Sequence, residues 1–209
     1  MTNSPLVTYT QISPNRNSPR NHAIDTITLH CTAGGSTLQG IGTEFDGKHG
    51  EKSANYCVDK TGKIGLYVPE SDRSWASSNR ENDNRAITIE LMSEATPPYR
   101  ITEACAKACV GLLVDICTRN GIPRLLWENN RSLVGKIDQQ NMTLHRWFTS
   151  TDCPGEYIIS IIPNIVREVN ARLNPQPDES STVHIKCDNA FFAEGIAAAL
   201  RALGLDASI

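Results

Sequence analysis

Nowhere does the chain run apolar for the roughly 18–20 residues that a helix needs to cross a bilayer. Its hydrophobic residues come in short bursts broken by charge and glycine, which excludes membrane insertion through a helix. The first residues, Met1-Thr2-Asn3-Ser4-Pro5, have neither a basic start nor a hydrophobic segment. No signal peptide is therefore expected, and synthesis in a (host) cytoplasm follows. Charge of one sign is missing too. Lys and Arg number 20 against 23 Asp and Glu, a net charge of −3. That leaves no basic field to hold nucleic acid or an anionic membrane surface. No internal repeat is visible. Cysteine is present but odd in number, and seven cannot all pair within one chain. Cys31, Cys57, Cys105, Cys109 and Cys117 fall in or beside predicted strands and a helix. They read as small buried residues of a reducing compartment.

What is present suits one globular domain with a small appendage: 209 residues, 39% hydrophobic and 21% charged. Residues 1–25, rich in Asn, Ser, Pro and Arg, read as an extended arm, with His22 on its surface. Thr26 to Leu29 is a buried strand leading into His30-Cys31-Thr32-Ala33-Gly34-Gly35, where the glycines mark a tight turn. Residues 36–52 form a helix or loop anchored by Phe45, and His49 is a loop residue. Ala54 to Val68 is a hairpin turning at Gly62. Trp75 sits in a loop, and polar residues 79–85 read as a surface connection. Ala86 to Met92 is a central strand. A helix capped by Thr102 spans 103–119 and ends at Gly121. Its stripe is Cys105, Cys109, Leu112, Leu113 and Ile116. After a polar loop, 124–141, holding Trp127, Met142 to His145 is a short strand. A last long helix, 156–172, is expected to kink or break at Pro163. Residues 174–182 read as a linker. Beyond it lie a strand candidate, Val183 to Lys186, and Cys187, which receives no role. A helix follows from Asn189 to Leu203, and Leu205 to Ile209 is a second strand candidate. That tail is too small to bury a core alone.

His30, His145 and Cys153 are the residues to weigh together. A single strand-end histidine is as readily a hydrogen-bonded structural residue as a ligand. Two of them, with a cysteine eight residues after the second and just before Pro154-Gly155, change the balance. A cysteine at a helix start has a lowered pKa, because free backbone N–H groups favour its thiolate. Two imidazoles and a thiolate make a three-ligand zinc site with one position open for water, the catalytic pattern. If the three converge, Zn²⁺ is the expected cofactor, and spacing alone does not bring them together. Glu90 lies within an apolar strand. It is either a solvated strand-end residue or the general base or acid that such a metal needs.

Four segments then carry a resemblance: Ile27–Gly34 (ITLHCTAG), Ser53–Gly62 (SANYCVDKTG), Ile87–Leu91 (ITIEL) and Leu144–Gly155 (LHRWFTSTDCPG). In order and spacing they resemble the zinc-dependent N-acetylmuramoyl-L-alanine amidases, the amidase-2 and peptidoglycan recognition protein family, over residues 24–173. The resemblance implies an α/β fold with a mixed central β-sheet flanked by helices, here with a small C-terminal β-α appendage. It implies hydrolysis of the amide between N-acetylmuramic acid and L-alanine in peptidoglycan. By motif position His30, His145 and Cys153 match the zinc ligands, and Glu90 the catalytic carboxylate. Thr151 matches a position that can steady an oxyanion. Tyr56 and Trp75 are placed in a substrate groove. Departures occur at Asn55 and Ala76, where many relatives have His. Asp152 stands beside the ligand, but the Cys-Pro-Gly match favours Cys153.

The expected organisation is a catalytic domain over 1–173, a linker over 174–182 and an appendage over 183–209 for wall binding or oligomerisation. The last would admit a homodimer. The leading functional expectation is a phage or prophage endolysin acting on the cell wall after release, with peptidoglycan or muropeptides as partner. The rivals are a non-catalytic peptidoglycan-binding module and a cytoplasmic recycling amidase.

Overall fold

Strand pairing in the computed structural model starts from two six-residue segments, β3 (Thr26–Cys31) and β7 (Ala86–Leu91), which lie parallel and in register from Thr26↔Ala86 to Cys31↔Leu91. The structure describes residues 2–175 and 190–202. The chain divides into two compact units, Met1–Pro175 and Gln176–Ile209. In the first, strands β1 (Tyr9–Thr10), β4 (Tyr56–Val58), β5 (Ile64–Leu66) and β8 (Met142–Leu144) join β3 and β7 in a sheet of order β1-β5-β4-β7-β3-β8. β4, β7, β3 and β8 run parallel, and β5 runs antiparallel to β4. The sheet is thus mixed, as expected. β2 (Arg16–Asn17) and β6 (Arg73–Ser74) form a separate antiparallel pair. Of the second unit, helix Ala190–Ala202 is described. The linker beyond Pro175, the strand candidates Val183 to Lys186 and Leu205 to Ile209, and Cys187 lie outside the described residues.

Alternation gives the sheet two unlike faces. Successive side chains of a strand point to opposite sides, and the register aligns Thr28 with Thr88 and Thr143, and His30 with Glu90. These five share one face. Ile27, Leu29, Ile87, Ile89, Leu91, Met142 and Leu144 share the other, and all are buried. That apolar face is covered by α3 (Glu103–Asn120) and α4 (Glu156–Leu173). Thr102 caps α3 by accepting the Cys105 N–H. Gly121 ends it at φ +68°, a left-handed conformation that glycine adopts without strain. α4 runs unbroken through Pro163, contrary to the expected interruption. An internal proline costs about 3 kcal/mol, but burying one aliphatic side chain returns about 1.5–3 kcal/mol. Ile158, Ile162, Ile165 and Val169 are all buried on this helix, so packing wins.

The second face is covered partly by α1 (Leu38–Glu44), whose Leu38 and Ile41 pack with Phe45, Cys57 and Tyr67. The rest lies under α2 (Arg80–Arg85), a helix where the polar run had suggested a surface connection. Asn79 caps α2 through the Asn82 N–H, and Asn82, Asp83 and Asn84 are buried. Each has partners: Asp83 accepts from the Ala76 and Ser77 N–H groups and from the Ser77 hydroxyl. A buried polar residue with full hydrogen bonding carries little penalty, and that is how so polar a segment goes inside.

The N-terminal arm is likewise more than an extended lead. β1 pairs with β5 at the sheet edge, and β2 holds β6. Buried Arg20 donates to the carbonyls of Glu70, Asp72, Asn84 and Ala86, fastening arm, loop and strand together.

Candidate metal centre and active site

Three adjacent parallel strands, β7, β3 and β8, end at the same edge. The crevice outside the carboxyl ends of parallel strands is the usual ligand site of such sheets. Glu90 stands at the end of β7, His30 at the end of β3, and His145 follows β8 directly. The imidazole centroids of His30 and His145 are 4.8 Å apart, which is the spacing of neighbouring strands. Cys153 arrives from a loop that curls back on itself. Arg146 N–H donates to the Cys153 carbonyl (3.1 Å) and the Arg146 guanidinium to the Asp152 carbonyl (2.6 Å). The Cys153 sulfur then lies 3.3 Å from the Cys31 amide nitrogen, whose N–H it accepts, and 3.6 Å from His30 Nδ1. One ligand atom each from His30, His145 and Cys153 falls within 4.8 Å of the others. This group can hold a metal ion.

The electrostatics fit that use. Burial, then the neighbouring His145, pushes the His30 pKa down to about 3, and burial also lowers that of His145. Both rings are therefore neutral, the form that ligates a metal. His30 Nε2, His145 Nε2 and Glu90 Oε2 are buried without a hydrogen-bond partner among the described residues. Three orphaned polar atoms at one strand edge would be costly unless something binds them. Burial lifts the Glu90 pKa to about 8. Cys153 departs from expectation. It precedes Pro154 and Gly155, with α4 starting only at Glu156, so no helix N-terminus stabilises its thiolate. Its pKa is raised, first by the hydrogen bond with the Cys31 thiol, then by burial and by the Glu90 charge, while the Cys31 backbone N–H that the sulfur accepts works the other way. A cation held by this group would favour the thiolate over the thiol.

The remaining predicted residues separate. Thr151 accepts the Cys153 N–H through its hydroxyl oxygen (3.2 Å), a bond that does not use its own O–H. Asp152 is exposed, unlike its neighbour. Tyr56 corrects the groove expectation. It is 0% exposed, in the apolar core, and its hydroxyl donates to Glu70 Oε1 and accepts from Ser4 N–H. Trp75 is half-buried, donates from Nε1 to Asn17 Oδ1, and lines a cleft of about 340 Å³ with Glu51, Arg73 and Ser78. Asn55 is also fully buried. It donates to the Val68 carbonyl and accepts from the Thr88 N–H. Its departure from the histidine of relatives is an internal one. Residues that were missed stand one step below the site: Thr28, Thr88 and Thr143 each precede His30, Glu90 and His145 by two. The repeated Thr-x-His, Thr-x-Glu, Thr-x-His pattern was the available signal.

Residues 20–156 match the family model described as N-acetylmuramoyl-L-alanine amidase. The chain belongs to that family. The matched span contains all five candidate residues, His30, Glu90, His145, Thr151 and Cys153. This amidase hydrolyses the bond between N-acetylmuramic acid and L-alanine in peptidoglycan. Among solved structures, its fold is similar to a selenomethionine derivative of AmpD at 18% identity and TM-score 0.60, over 81% of this chain and 99% of that one. A mutant endolysin from Bacillus subtilis gives 15% and 0.57, over 77% and 97%. The catalytic domain of XlyA gives 17% and 0.51, again over 77% and 97%. A comparison with curated proteins finds no match. No helix among the described residues is long and apolar enough to cross a membrane.

Proposed function

We propose that this amidase is a zinc enzyme in which His30, His145 and Cys153 hold the ion, Glu90 moves protons and Thr151 steadies the oxyanion. The observation that carries the reading is the 3.6 Å between His30 Nδ1 and Cys153 Sγ, with His145 alongside. Two ligands of a tetrahedral zinc, with Zn–N of about 2.0–2.1 Å and Zn–S of about 2.3 Å, stand about 3.6 Å apart. The two-nitrogen, one-sulfur donor set also favours zinc over magnesium or calcium. Bound zinc supplies Lewis acidity, polarising a carbonyl and lowering the pKa of water toward about 7.

The residues of the chain do the rest. A cation held beside Glu90 would draw its raised pKa back down toward the carboxylate form, and Glu90 Oε2, without a hydrogen-bond partner among the described residues, would then take the proton from the attacking water. It then delivers that proton to the departing nitrogen of L-alanine. Oxygen adds to the lactyl carbonyl carbon, the C–N bond breaks, and the products are a carboxylate and a free amine. The Thr151 hydroxyl, held by the Cys153 N–H, donates to the carbonyl oxygen as charge gathers there. Trp75 offers an aromatic wall to the saccharide or stem peptide.

In the cell we read the enzyme as a phage-type endolysin, made in the host cytoplasm and acting on the wall after release. Residues 1–173 are its catalytic domain, 174–182 a linker and 183–209 a wall-binding appendage. The division of the chain at Pro175 supports the first boundary. A homodimer through the appendage rests on composition alone. The presence of both Cys153 and Glu90 favours catalysis over a binding-only module. The test is product analysis on purified walls with metal analysis of the same protein. We expect new amino groups on L-alanine, no new reducing sugar ends, and about one zinc per chain. Reducing ends, or full activity without metal, would overturn the reading.

A further inference from the structure

Beneath the proposed metal site lies a closed ring of hydrogen bonds. Asn82 Nδ2 donates to Thr28 Oγ1 (3.0 Å), and the Thr143 hydroxyl donates to Asn82 Oδ1 (2.9 Å). The Thr28 and Thr143 hydroxyls are 2.8 Å apart. Thr143 has a single hydroxyl hydrogen, and it is used on Asn82. The remaining bond therefore runs from Thr28 to Thr143. The ring is Asn82 to Thr28 to Thr143 and back to Asn82, every donor pointing the same way round. The Asn82 amide is fixed in this orientation, because its amino group also faces the Ser77 hydroxyl and an Asp83 carboxylate oxygen. All three members are buried: Thr28 at 0%, Thr143 at 2% and Asn82 at 5%.

The position of the ring gives it a consequence. Thr28 and Thr143 are register partners on β3 and β8, followed by the pair Leu29 and Leu144. The next residues are His30 and His145, on the same side as the threonines by alternation. A metal-bound imidazole is ordinarily oriented by a carboxylate or carbonyl on its other nitrogen. Here neither Nε2 has any partner among the described residues, and His30 Nδ1 faces only the Cys153 sulfur. Among the described residues no side chain bonds either ring at Nε2, and the two strands that carry the histidines are their common support. Resting on the metal reading above, we infer that the Thr28–Thr143–Asn82 ring is a positioning device. It locks β3 to β8 and so sets the separation of the two histidine ligands. Thr88 is a natural control. It lies on the same face, bonded to Ser74 and Asn55, but it underlies Glu90 and joins no two ligands.

The test compares folded full-length variants by zinc affinity in chelator competition and by the visible spectrum of the cobalt-substituted protein, which reports ligand geometry directly. Thr143→Val removes the ring hydroxyl at nearly constant volume. We expect zinc affinity to fall about tenfold, the lower end of what outer partners of metal ligands contribute, with a shifted cobalt spectrum. Thr143→Ser, which keeps the hydroxyl, should restore both. Thr88→Val should lose comparable stability to denaturant while leaving affinity and spectrum at wild-type values. If Thr143→Val does not fold, Thr28→Val carries the same expectation. Unchanged affinity and spectrum in a folded ring variant would overturn the inference, as would an equal loss in Thr88→Val. Wild-type protein that takes up neither zinc nor cobalt would instead overturn the metal reading and the inference with it.

Discussion

The two faces of the central sheet are built on different physics. On one, Ile27, Leu29, Ile87, Ile89 and Leu91 meet the stripes of α3 and α4, and nothing there needs a partner. On the other, Thr28, Thr88, Thr143, Asn55 and Asn82 are just as buried, and every one is hydrogen-bonded. The first face supplies non-directional stability, roughly 25 cal/mol for each Å² of apolar surface removed from water. The second supplies direction, because a satisfied polar contact is lost when its geometry slips. The proposed site lies at the end of the directional face. A sheet with two apolar faces would hold as firmly, but nothing in it would fix where His30 stands relative to His145.

That contrast explains what could be read from the sequence. α3 was legible almost residue for residue, because Cys105, Cys109, Leu112, Leu113 and Ile116 repeat at helical spacing between Thr102 and Gly121. β3 and β7 were legible as apolar runs. The polar face was not. Residues 79–85 look like surface, since composition cannot show that Asn82 and Asp83 find partners inside. The capping residue Asn79 was the one local cue to a helix there. β1 and β2 are two-residue pairings fixed by strands distant in the chain, which no local pattern encodes. At the site, His30, His145 and Cys153 could be picked out individually, and the fold brings their ligand atoms within 4.8 Å of one another, with Glu90 paired to His30 on the neighbouring strand. The reason given for Cys153 failed, however, because the helix begins three residues later. Tyr56 was misplaced because its neighbours in the motif suggested a groove, while its position in β4 points it at the core.

The largest effect should come from metal removal. Chelation is expected to abolish turnover on purified walls, and stoichiometric Zn²⁺ to restore it, with far-ultraviolet circular dichroism little changed because the apolar face carries the fold. Collapse of the fold on chelation would erase the division of labour between the faces. Next in size is Glu90→Gln. It keeps shape but cannot accept a proton, and turnover should drop about 10²–10⁴-fold while zinc content stays at wild-type level. Near-full activity would remove Glu90 from the mechanism.

On the apolar side the same comparison reads in reverse. Leu112 is fully buried in α3, and Leu112→Ala should cost about 2–5 kcal/mol of stability, measured by urea unfolding. Zinc affinity of the folded fraction should stay within about twofold, since no hydrogen bond to the site is touched. A large loss of affinity would show that packing, rather than the polar tier, governs ligand geometry.

The smallest effect is the most discriminating for Tyr56. Its hydroxyl donates to Glu70 at 2.5 Å and accepts the Ser4 N–H at 2.9 Å. Glu70 is itself fully buried, but Arg119 grips both of its oxygens, at 2.9 and 2.6 Å, and Asn120 donates to one of them. Tyr56→Phe therefore leaves the carboxylate paired and orphans only the Ser4 N–H. A lost hydrogen bond of this kind costs about 0.5–1.5 kcal/mol, rising toward about 3 when a charged partner is involved. With Arg119 still in place, we expect about 1–2 kcal/mol. The phenyl ring keeps its packing against the strands of the apolar face, so KM and kcat on soluble muropeptide should both stay within about twofold of wild type. A groove residue would behave oppositely, raising KM with stability unchanged. Measuring urea midpoint and KM on the same Tyr56→Phe preparation separates the two roles. A raised KM at wild-type stability would return Tyr56 to the substrate side and blur the distinction between the faces.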